Sequence, residues 1–224
     1  MTSAKNAVVF VVEDDLAARR SLVALVRSRG LKCEEYASAE DFLGEADAST
    51  QGAVITDLRM GAMSGLDLQD ALAKKGSLLP VIVVSGHADV PITVKLMENG
   101  AVTRLQKPYE ERALLEAIDK ALQQNIQTRT VAERIQFVER ALASLSSVEN
   151  RTLKLMLEGQ QNKTIARETA TSLRTVDRRR RSVLNKLHVG SIAELVQMVA
   201  EYEHAKSFDK SHPPQEANDA QDGS

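Results

Sequence analysis

Apolar and polar positions alternate in two distinct rhythms along the first 125 residues. Residues 7–12, Ala7-Val8-Val9-Phe10-Val11-Val12, form an unbroken, mostly β-branched run and predict a strand. Residues 16–29 place Leu22, Val23 and Val26 at helical spacing, and Gly30 stops the pattern. Residues 31–36 read as a weaker strand and 39–46 as a short helix. Residues 53–57, Ala53-Val54-Ile55-Thr56-Asp57, form a third strand, and 65–74 are helical through Leu66, Leu68 and Leu72. Pro80-Val81-Ile82-Val83-Val84 is a fourth strand ending at Ser85-Gly86, residues 90–99 a helix closed by Gly100, and 101–106 a short fifth strand. A further helix begins near Tyr109. Strands alternating with helices predict an α/β doubly wound, five-stranded parallel sheet with right-handed crossovers.

The rhythm then changes. Residues 109–143 contain neither Gly nor Pro. Leu115, Ile118, Leu122 and Ile126 mark one apolar stripe; Val131, Ile135, Val138, Leu142 and Leu145 mark another at heptad-like spacing. Thr128 and Thr130, weak helix formers, predict a break between the two. Two readings stay open, a linker helix packed on its own chain and a short coiled coil aligning two protomers. Ser146 and Glu149 form a capping box that opens a helix ending at Gly159. Short helices follow over 162–169 and 173–187, joined by Ala170-Thr171-Ser172, and a last one opens at the Ser191/Glu194 box and runs to about His204. The middle pair has helix-turn-helix spacing. The predicted organisation is a sheet domain over 1–125, a helical linker over 126–144, a small all-α domain over 145–204, and a disordered tail over 205–224, where Pro213-Pro214 lies among polar residues.

Composition adds three constraints. With 43% hydrophobic residues but 3% aromatics and no Trp, the core must be aliphatic. The net charge of −2 hides an asymmetry: residues 145–200 hold ten Lys and Arg against five Asp and Glu, the remainder nineteen against twenty-six. Only the second part suits a polyanion. Cys33 is the single cysteine, which excludes an intrachain disulfide or cysteine metal cluster and reads as a small buried hydrophobe. Residues 1–20 lack a signal peptide's pattern and no run is long enough to span a bilayer, so a cytoplasmic protein is expected.

A parallel sheet delivers every strand's last residues to one edge, where ligands of such sheets bind. Here that edge collects Glu13, Asp14 and Asp15, then Asp57, Ser85 and Lys107. Any one of these alone reads as a solvated charge; together they have a chemistry. Crowded carboxylates without Cys or His suit a hard divalent ion such as Mg²⁺. A lysine and a hydroxyl can bind the other oxygens of a phosphoryl group, with Asp57 as the nucleophile that forms an aspartyl phosphate.

In the second domain, Val176, Val183, Leu184 and Leu187 face inward on the third helix, while Arg174, Asp177, Arg178, Arg181 and Asn185 face outward. The run Arg178-Arg179-Arg180-Arg181 wraps the helix, so two or three of the four can enter one groove, and Arg180 falls nearest the buried side. On the second helix of a helix-turn-helix the run reads as DNA-facing. Arg178 and Arg181 can reach base edges, and Arg174, Arg179 and Lys186 fit phosphates.

Residues 7–125 resemble the receiver domain of two-component response regulators, through Phe10-Val11-Val12-Glu13-Asp14-Asp15, Thr56-Asp57-Leu58-Arg59-Met60, Val84-Ser85-Gly86-His87-Ala88 and Gln106-Lys107-Pro108. Residues 145–200 resemble the LuxR-type DNA-binding module, through Asn162-Lys163-Thr164-Ile165-Ala166, Arg174-Thr175-Val176-Asp177 and residues 187–196. Together they resemble a response regulator of the NarL/FixJ type. The resemblance implies Asp57 as phosphoacceptor, Ser85 as switch hydroxyl and Lys107 as phosphoryl contact. It implies Mg²⁺ held by Glu13, Asp14, Asp57 and the Arg59 main-chain carbonyl, and a cis bond before Pro108. It implies a sensor histidine kinase, double-stranded DNA and a second copy of the chain, paired when phosphorylated, as partners, and it admits RNA polymerase. Pairing falls on the last helix at Ile192, Leu195, Val196 and Val199. No enzyme activity is expected beyond self-phosphorylation and self-dephosphorylation at Asp57. Gly61 stands where the family usually has Pro, and Arg104 where it usually has an aromatic. Two alternatives are a DNA binder whose receiver only dimerises, and a Mg²⁺-dependent phosphatase; the latter lacks a second carboxylate two residues after Asp57.

Overall fold

The computed structural model describes residues 7–86 and 103–211, the last four by backbone alone. The expected helix over 90–99, His87 and the tail beyond Ser211 lie outside the described residues. The chain divides between Thr130 and Val131 into two compact units.

In the first unit, strands β1 (Val8–Val12), β2 (Lys32–Tyr36), β3 (Gly52–Asp57), β4 (Val81–Ser85) and β5 (Thr103–Gln106) form one parallel sheet in the order β2-β1-β3-β4-β5. The doubly wound expectation holds. The inner strands are buried on both faces, so they read as continuous apolar runs. Helices α1 (Leu16–Ser28), α2 (Ala39–Glu45) and α3 (Gly65–Lys74) pack through alternate strand residues into two cores. Val9, Val11, Ala53, Ile55, Ile82 and Val84 point to one of them, where half-buried Cys33 also packs, and Phe10, Val12, Val54, Val81 and Val83 point to the other. The scarce aromatics meet in the second core, with the Phe10 and Phe42 rings 5.2 Å apart and Tyr36 edge-on to Phe42, also at 5.2 Å. Register sets the edge: Val12 pairs with Thr56, Asp57 with Val84 and Ser85 with Gln106, so the polar strand ends lie side by side.

Helix α4 (Glu111–Ala143) runs without the break expected at Thr128 and Thr130. The Thr130 hydroxyl donates to the Ile126 carbonyl at 2.8 Å, as helical threonines can. More decisive are two anchors at the opposite edge of the sheet from Asp57. Asn125, buried, donates to the Leu78 carbonyl at 2.7 Å and accepts from the Gly52 amide at 3.1 Å. Arg129 donates to the carbonyls of Ala48 (3.1 Å) and Thr50. Tertiary hydrogen bonds thus override weak propensity. Gly52 has to be glycine, because its φ is 143° and a Cβ there would lie 1.9 Å from the Val8 carbonyl oxygen.

The second unit comprises the end of α4 with α5 (Ser147–Leu157), α6 (Asn162–Glu168), α7 (Leu173–Lys186) and α8 (Ile192–Ser211). Ser146 and Glu149 cap α5 reciprocally as expected. At α8 the Ser191 hydroxyl accepts from the Glu194 amide at 3.2 Å, while the Glu194 carboxylate reaches back to the Gly190 amide at 2.9 Å. Leu145, Leu153, Met156, Ile165, Val176, Val183, Leu187 and Leu195 form the core. Leu145 belongs to it, Leu142 packs against it and Val138 is buried, so this half of the heptad-like stripe packs on its own chain, and Val131 stays exposed. Helix α8 ends at Ser211 rather than near His204. Lys206 reaches Glu139 at 2.9 Å and lies 5.1 Å from the Tyr202 ring centroid, and Arg134 pairs with Glu201 at 3.0 Å, which fasten the added turns to α4.

Asn125→Ala leaves the Gly52 amide and the Leu78 carbonyl without this partner and should lower stability by about 2–3 kcal/mol. Urea denaturation reads this as a lower midpoint at an unchanged slope.

Candidate functional site

The carboxyl edge of the sheet brings the predicted residues together. Lys107 follows β5, and its amide donates to the Ser85 carbonyl at 2.8 Å, which ties the loop to the end of β4. The Lys107–Pro108 bond is cis. From there the Lys107 ammonium reaches Asp57 Oδ2 at 2.5 Å and Glu13 Oε2 at 3.0 Å. The Glu13 side chain is 2% exposed, that of Asp57 15% and that of Lys107 30%. Asp57 Oδ1 accepts from the Arg59 amide at 2.9 Å. Ser85 is buried beside this group at the end of β4. Burial pushes the Glu13 carboxyl above its ordinary range, opposed by the hydrogen bond and charge of Lys107. Burial works against the Lys107 ammonium in turn, but hydrogen bonds to Asp57 and Glu13 outweigh it and raise its pKa.

The three acids after β1 have separate tasks. Glu13 pairs with Lys107. Asp15 is the N-cap of α1, accepting from the Ala18 amide at 2.7 Å. Asp14 is exposed, and its carboxylate has no protein partner among the described residues. Among those residues no three His, Cys, Asp or Glu side chains are grouped to enclose a metal. The available donors are all hard oxygens, and Glu13, Asp14 and Asp57 against Lys107 leave two negative charges. This donor chemistry fits Mg²⁺, which keeps several waters and needs only one or two carboxylates.

Sequence reasoning missed Arg19. From the first turns of α1, its Nη1 donates to the main-chain carbonyls of Glu13 at 2.6 Å and Asp14 at 3.3 Å, and its Nε lies 3.6 Å from Glu35. It thereby fixes the acidic turn from behind. The available signal was a cation near a helix N-terminus, against the dipole. Gly65 is also needed here, since a Cβ would stand 2.4 Å from the Asp57 carbonyl oxygen.

The second unit holds the basic surface. Arg174, Thr175, Asp177, Arg178 and Arg181 line one concavity of about 510 Å³ on α7, whose N-cap is Ser172. Arg174, Arg178 and Arg181 are exposed, while Arg179 and Arg180 are half-buried, so the four-arginine run does sort by helix face. One Arg179 guanidinium nitrogen, Nη1, is buried without a hydrogen bond. Lys186, expected toward phosphate, is engaged within the unit: its ammonium binds Glu149 at 2.7 Å and the Ser144 carbonyl at 3.1 Å. Glu149 also accepts from the Ser182 hydroxyl at 2.7 Å, so one capping carboxylate fastens α7 to the start of α5. On α8, Leu195 and Val199 are buried in their own core, and Ile192 and Val196 stay exposed.

A doubly wound sheet with a lysine between two carboxylates at its carboxyl edge, followed by a basic helix-turn-helix, defines a receiver joined to a DNA-binding module. Residues 9–119 match the response regulator receiver domain, and residues 143–199 match the bacterial regulatory proteins of the luxR family. The chain is 40% identical over 196 residues to the response regulator protein TodT of Pseudomonas putida, covering 88% of this chain and 86% of that one. It is 36% identical over 190 residues to the transcriptional regulatory protein FixJ of Azorhizobium caulinodans, covering 85% and 90%. The solved structure of the response regulator StyR superposes with a TM-score of 0.81 at 38% identity, over 88% of this chain and 99% of that one. The chain belongs to the two-component response regulators of the NarL/FixJ type, with a receiver domain and a LuxR-type DNA-binding domain.

The Glu149 anchor has a pH signature. Hydrogen bonds from Lys186, Ser182 and the Ser146 amide hold its carboxyl down at about 2, against an ordinary value of 4.5. A depressed folded pKa stabilises fully above the ordinary value and is lost as pH falls from about 4.5 toward 2. Glu149→Gln should therefore lose less stability than the parent protein between about pH 5 and pH 3, measured by urea denaturation at each pH.

Proposed function

We propose that the receiver accepts a phosphoryl group on Asp57 from a sensor histidine kinase, and that this modification controls DNA binding by the second unit. The observation that carries the reading is the Lys107 ammonium held between Glu13 and Asp57, with the Asp14 carboxylate open beside them. An Asp57 oxygen bonds to phosphorus as the bond from phosphorus to the donor's leaving atom breaks. Lys107 stands where charge develops on the phosphoryl oxygens and neutralises part of it. The buried Ser85 hydroxyl at the end of the neighbouring strand supplies a donor to the same group. Glu13 keeps Lys107 aimed at the site, and Arg19 holds the turn that presents Asp14. Mg²⁺, held by Asp14, Asp57, the Arg59 main-chain carbonyl and Glu13, would neutralise the meeting of carboxylate and phosphate. The only chemistry then expected is gain and loss of the phosphoryl group, as befits a regulator.

The DNA reading rests on α7. Its exposed Arg174, Arg178 and Arg181 share one concavity, which supports entry of this helix into the major groove. Arg178 and Arg181 then face base edges. Arg174 faces phosphate, and half-buried Arg179, whose Nη1 is shielded from solvent, joins it only if its side chain turns outward. Lys186 contributes only if it leaves Glu149. Exposed Ile192 and Val196 on α8 provide the apolar patch for pairing two copies, and such a dimer meets two half-sites. Among the described residues no helix is long and apolar enough to cross a membrane.

Radiolabelled acetyl phosphate with Mg²⁺ should label the protein, and chelation or Asp57→Ala should abolish the label. Equal labelling of Asp57→Ala would sink the phosphoacceptor assignment. Arg178→Ala should weaken binding to a specific duplex by about 1–3 kcal/mol. Arg174→Ala should weaken all duplexes alike and reduce the salt slope by about one ion. Titrations at several salt concentrations separate the two.

A further inference from the structure

The basic concavity on α7 contains a carboxylate. Asp177 is exposed between Arg174, Arg178 and Arg181 on the surface that faces DNA in the reading above. A negative charge there repels phosphate, so it works against the electrostatic attraction that dominates duplex affinity. Its ion pair with Arg181 is an exposed i, i+4 contact, a kind that contributes little to folding. Stability alone is therefore a poor reason for an acid at this position.

The hydrogen bonds suggest a better one. Arg174 and Arg178 make no hydrogen bond or ion pair with the protein among the described residues, so their guanidinium groups keep rotamer freedom. Arg181 differs. Its Nη2 lies 3.2 Å from Asp177 Oδ2, and Asp177 Oδ1 lies 3.5 Å from Asn162 Nδ2 at the first residue of α6. The carboxylate thus links the start of one helix to an arginine on the other. One N–H of the guanidinium fork is spent on Asp177, which narrows the directions open to the remaining donors. A fixed fork is what bidentate contact with guanine O6 and N7 requires. A mobile fork suits phosphate, which accepts from many directions.

We propose that Asp177 is a specificity-determining positioning residue: tethered to Asn162, it orients Arg181 to read one guanine per half-site, and it disfavours registers that would bring its own charge against phosphate. This rests on the reading of α7 as the groove-entering helix. Asp177 gives up general affinity for discrimination.

Electrostatics and positioning differ in what they predict for discrimination. If Asp177 is only a surface charge, Asp177→Asn binds every duplex more tightly and keeps its sequence preference. If it positions Arg181, Asp177→Asn binds random duplex as tightly or more tightly and yet loses discrimination. The test is selection from a random duplex library with full-length wild type, Asp177→Asn, Asp177→Glu and Arg181→Ala. Fluorescence anisotropy on one non-specific duplex runs alongside. Arg181→Ala should lose preference at one guanine per half-site by roughly tenfold. Asp177→Asn should lose it at the same guanine, and Asp177→Glu, which restores the i, i+4 pair, should regain much of it. Because both positions are exposed, matching circular dichroism spectra are expected. Loss in Arg181→Ala with none in Asp177→Asn overturns the positioning role alone. No change in Arg181→Ala overturns the reading of α7 beneath it, and the role with it.

Discussion

The structure depends most on one ammonium group shared by two carboxylates. Glu13 is almost wholly buried, and an ionised carboxylate in that position is costly unless a cation sits against it. Lys107 supplies the cation from 94 residues away, at 3.0 Å, and the same nitrogen lies 2.5 Å from Asp57. The pairing can form only if β1, β3 and β5 end at the same edge and in register. Sheet order and charge compensation are thus two aspects of one constraint. The Lys107 amide bond to the Ser85 carbonyl adds β4 to it. The interaction is weak evidence for stability, since buried pairs often only break even. It is strong evidence for a site, because a fold has little reason to crowd these charges otherwise.

Much of this was legible in the chain. An apolar run ending in a carboxylate names a strand end, and strand ends of parallel sheets share an edge, so the meeting of Asp57, Ser85 and Lys107 at one edge was legible in the sequence. The division of labour among Glu13, Asp14 and Asp15 was not legible. It depends on which carboxylate meets a helix amide and which meets a lysine after β5, and both facts are geometric. Arg19 was hidden for a related reason. Its partners are two main-chain carbonyls and Glu35 on β2, and main-chain partners leave no mark in sequence. The Thr128–Thr130 break failed because propensity is a weak local preference. Asn125 and Arg129 act across about fifty to eighty positions of sequence.

The basic run in the second unit shows the limit from the other side. Four adjacent arginines are equivalent in composition and different on a helix. Periodicity correctly turned Arg180 inward, and the structure turns Arg179 partly inward as well. Lys186 was read as a phosphate contact, yet Glu149 captures it together with Ser182. The capping box at Ser146 and Glu149 was read as a local device. It is also a tertiary clasp, since a carboxylate with two oxygens can cap one helix and hold another.

The two sites answer to the same physics with opposite outcomes. At the sheet edge, Glu13, Asp14 and Asp57 outnumber Lys107 by two charges. A phosphorylated Asp57 would replace a single negative charge with about −1.5 to −2, which deepens the imbalance. The deficit can be met by a divalent ion or by shifting Lys107 from carboxylate toward phosphoryl oxygens. The second course leaves buried Glu13 less compensated, and that is an unfavourable state the surrounding strands must relieve. A receiver built in this way cannot accept the group and stay electrostatically unchanged. On α7 the arithmetic runs the other way. Three exposed arginines surround one aspartate, and the excess positive charge awaits a polyanion. The first unit therefore carries the charge deficit that a modification can alter, and the second carries the charge surplus that responds to DNA. Asp57 and Asp177 are both carboxylates set against basic side chains, but one is partly buried so that a change in its charge has consequences, while the other is exposed so that its charge can be traded for orientation.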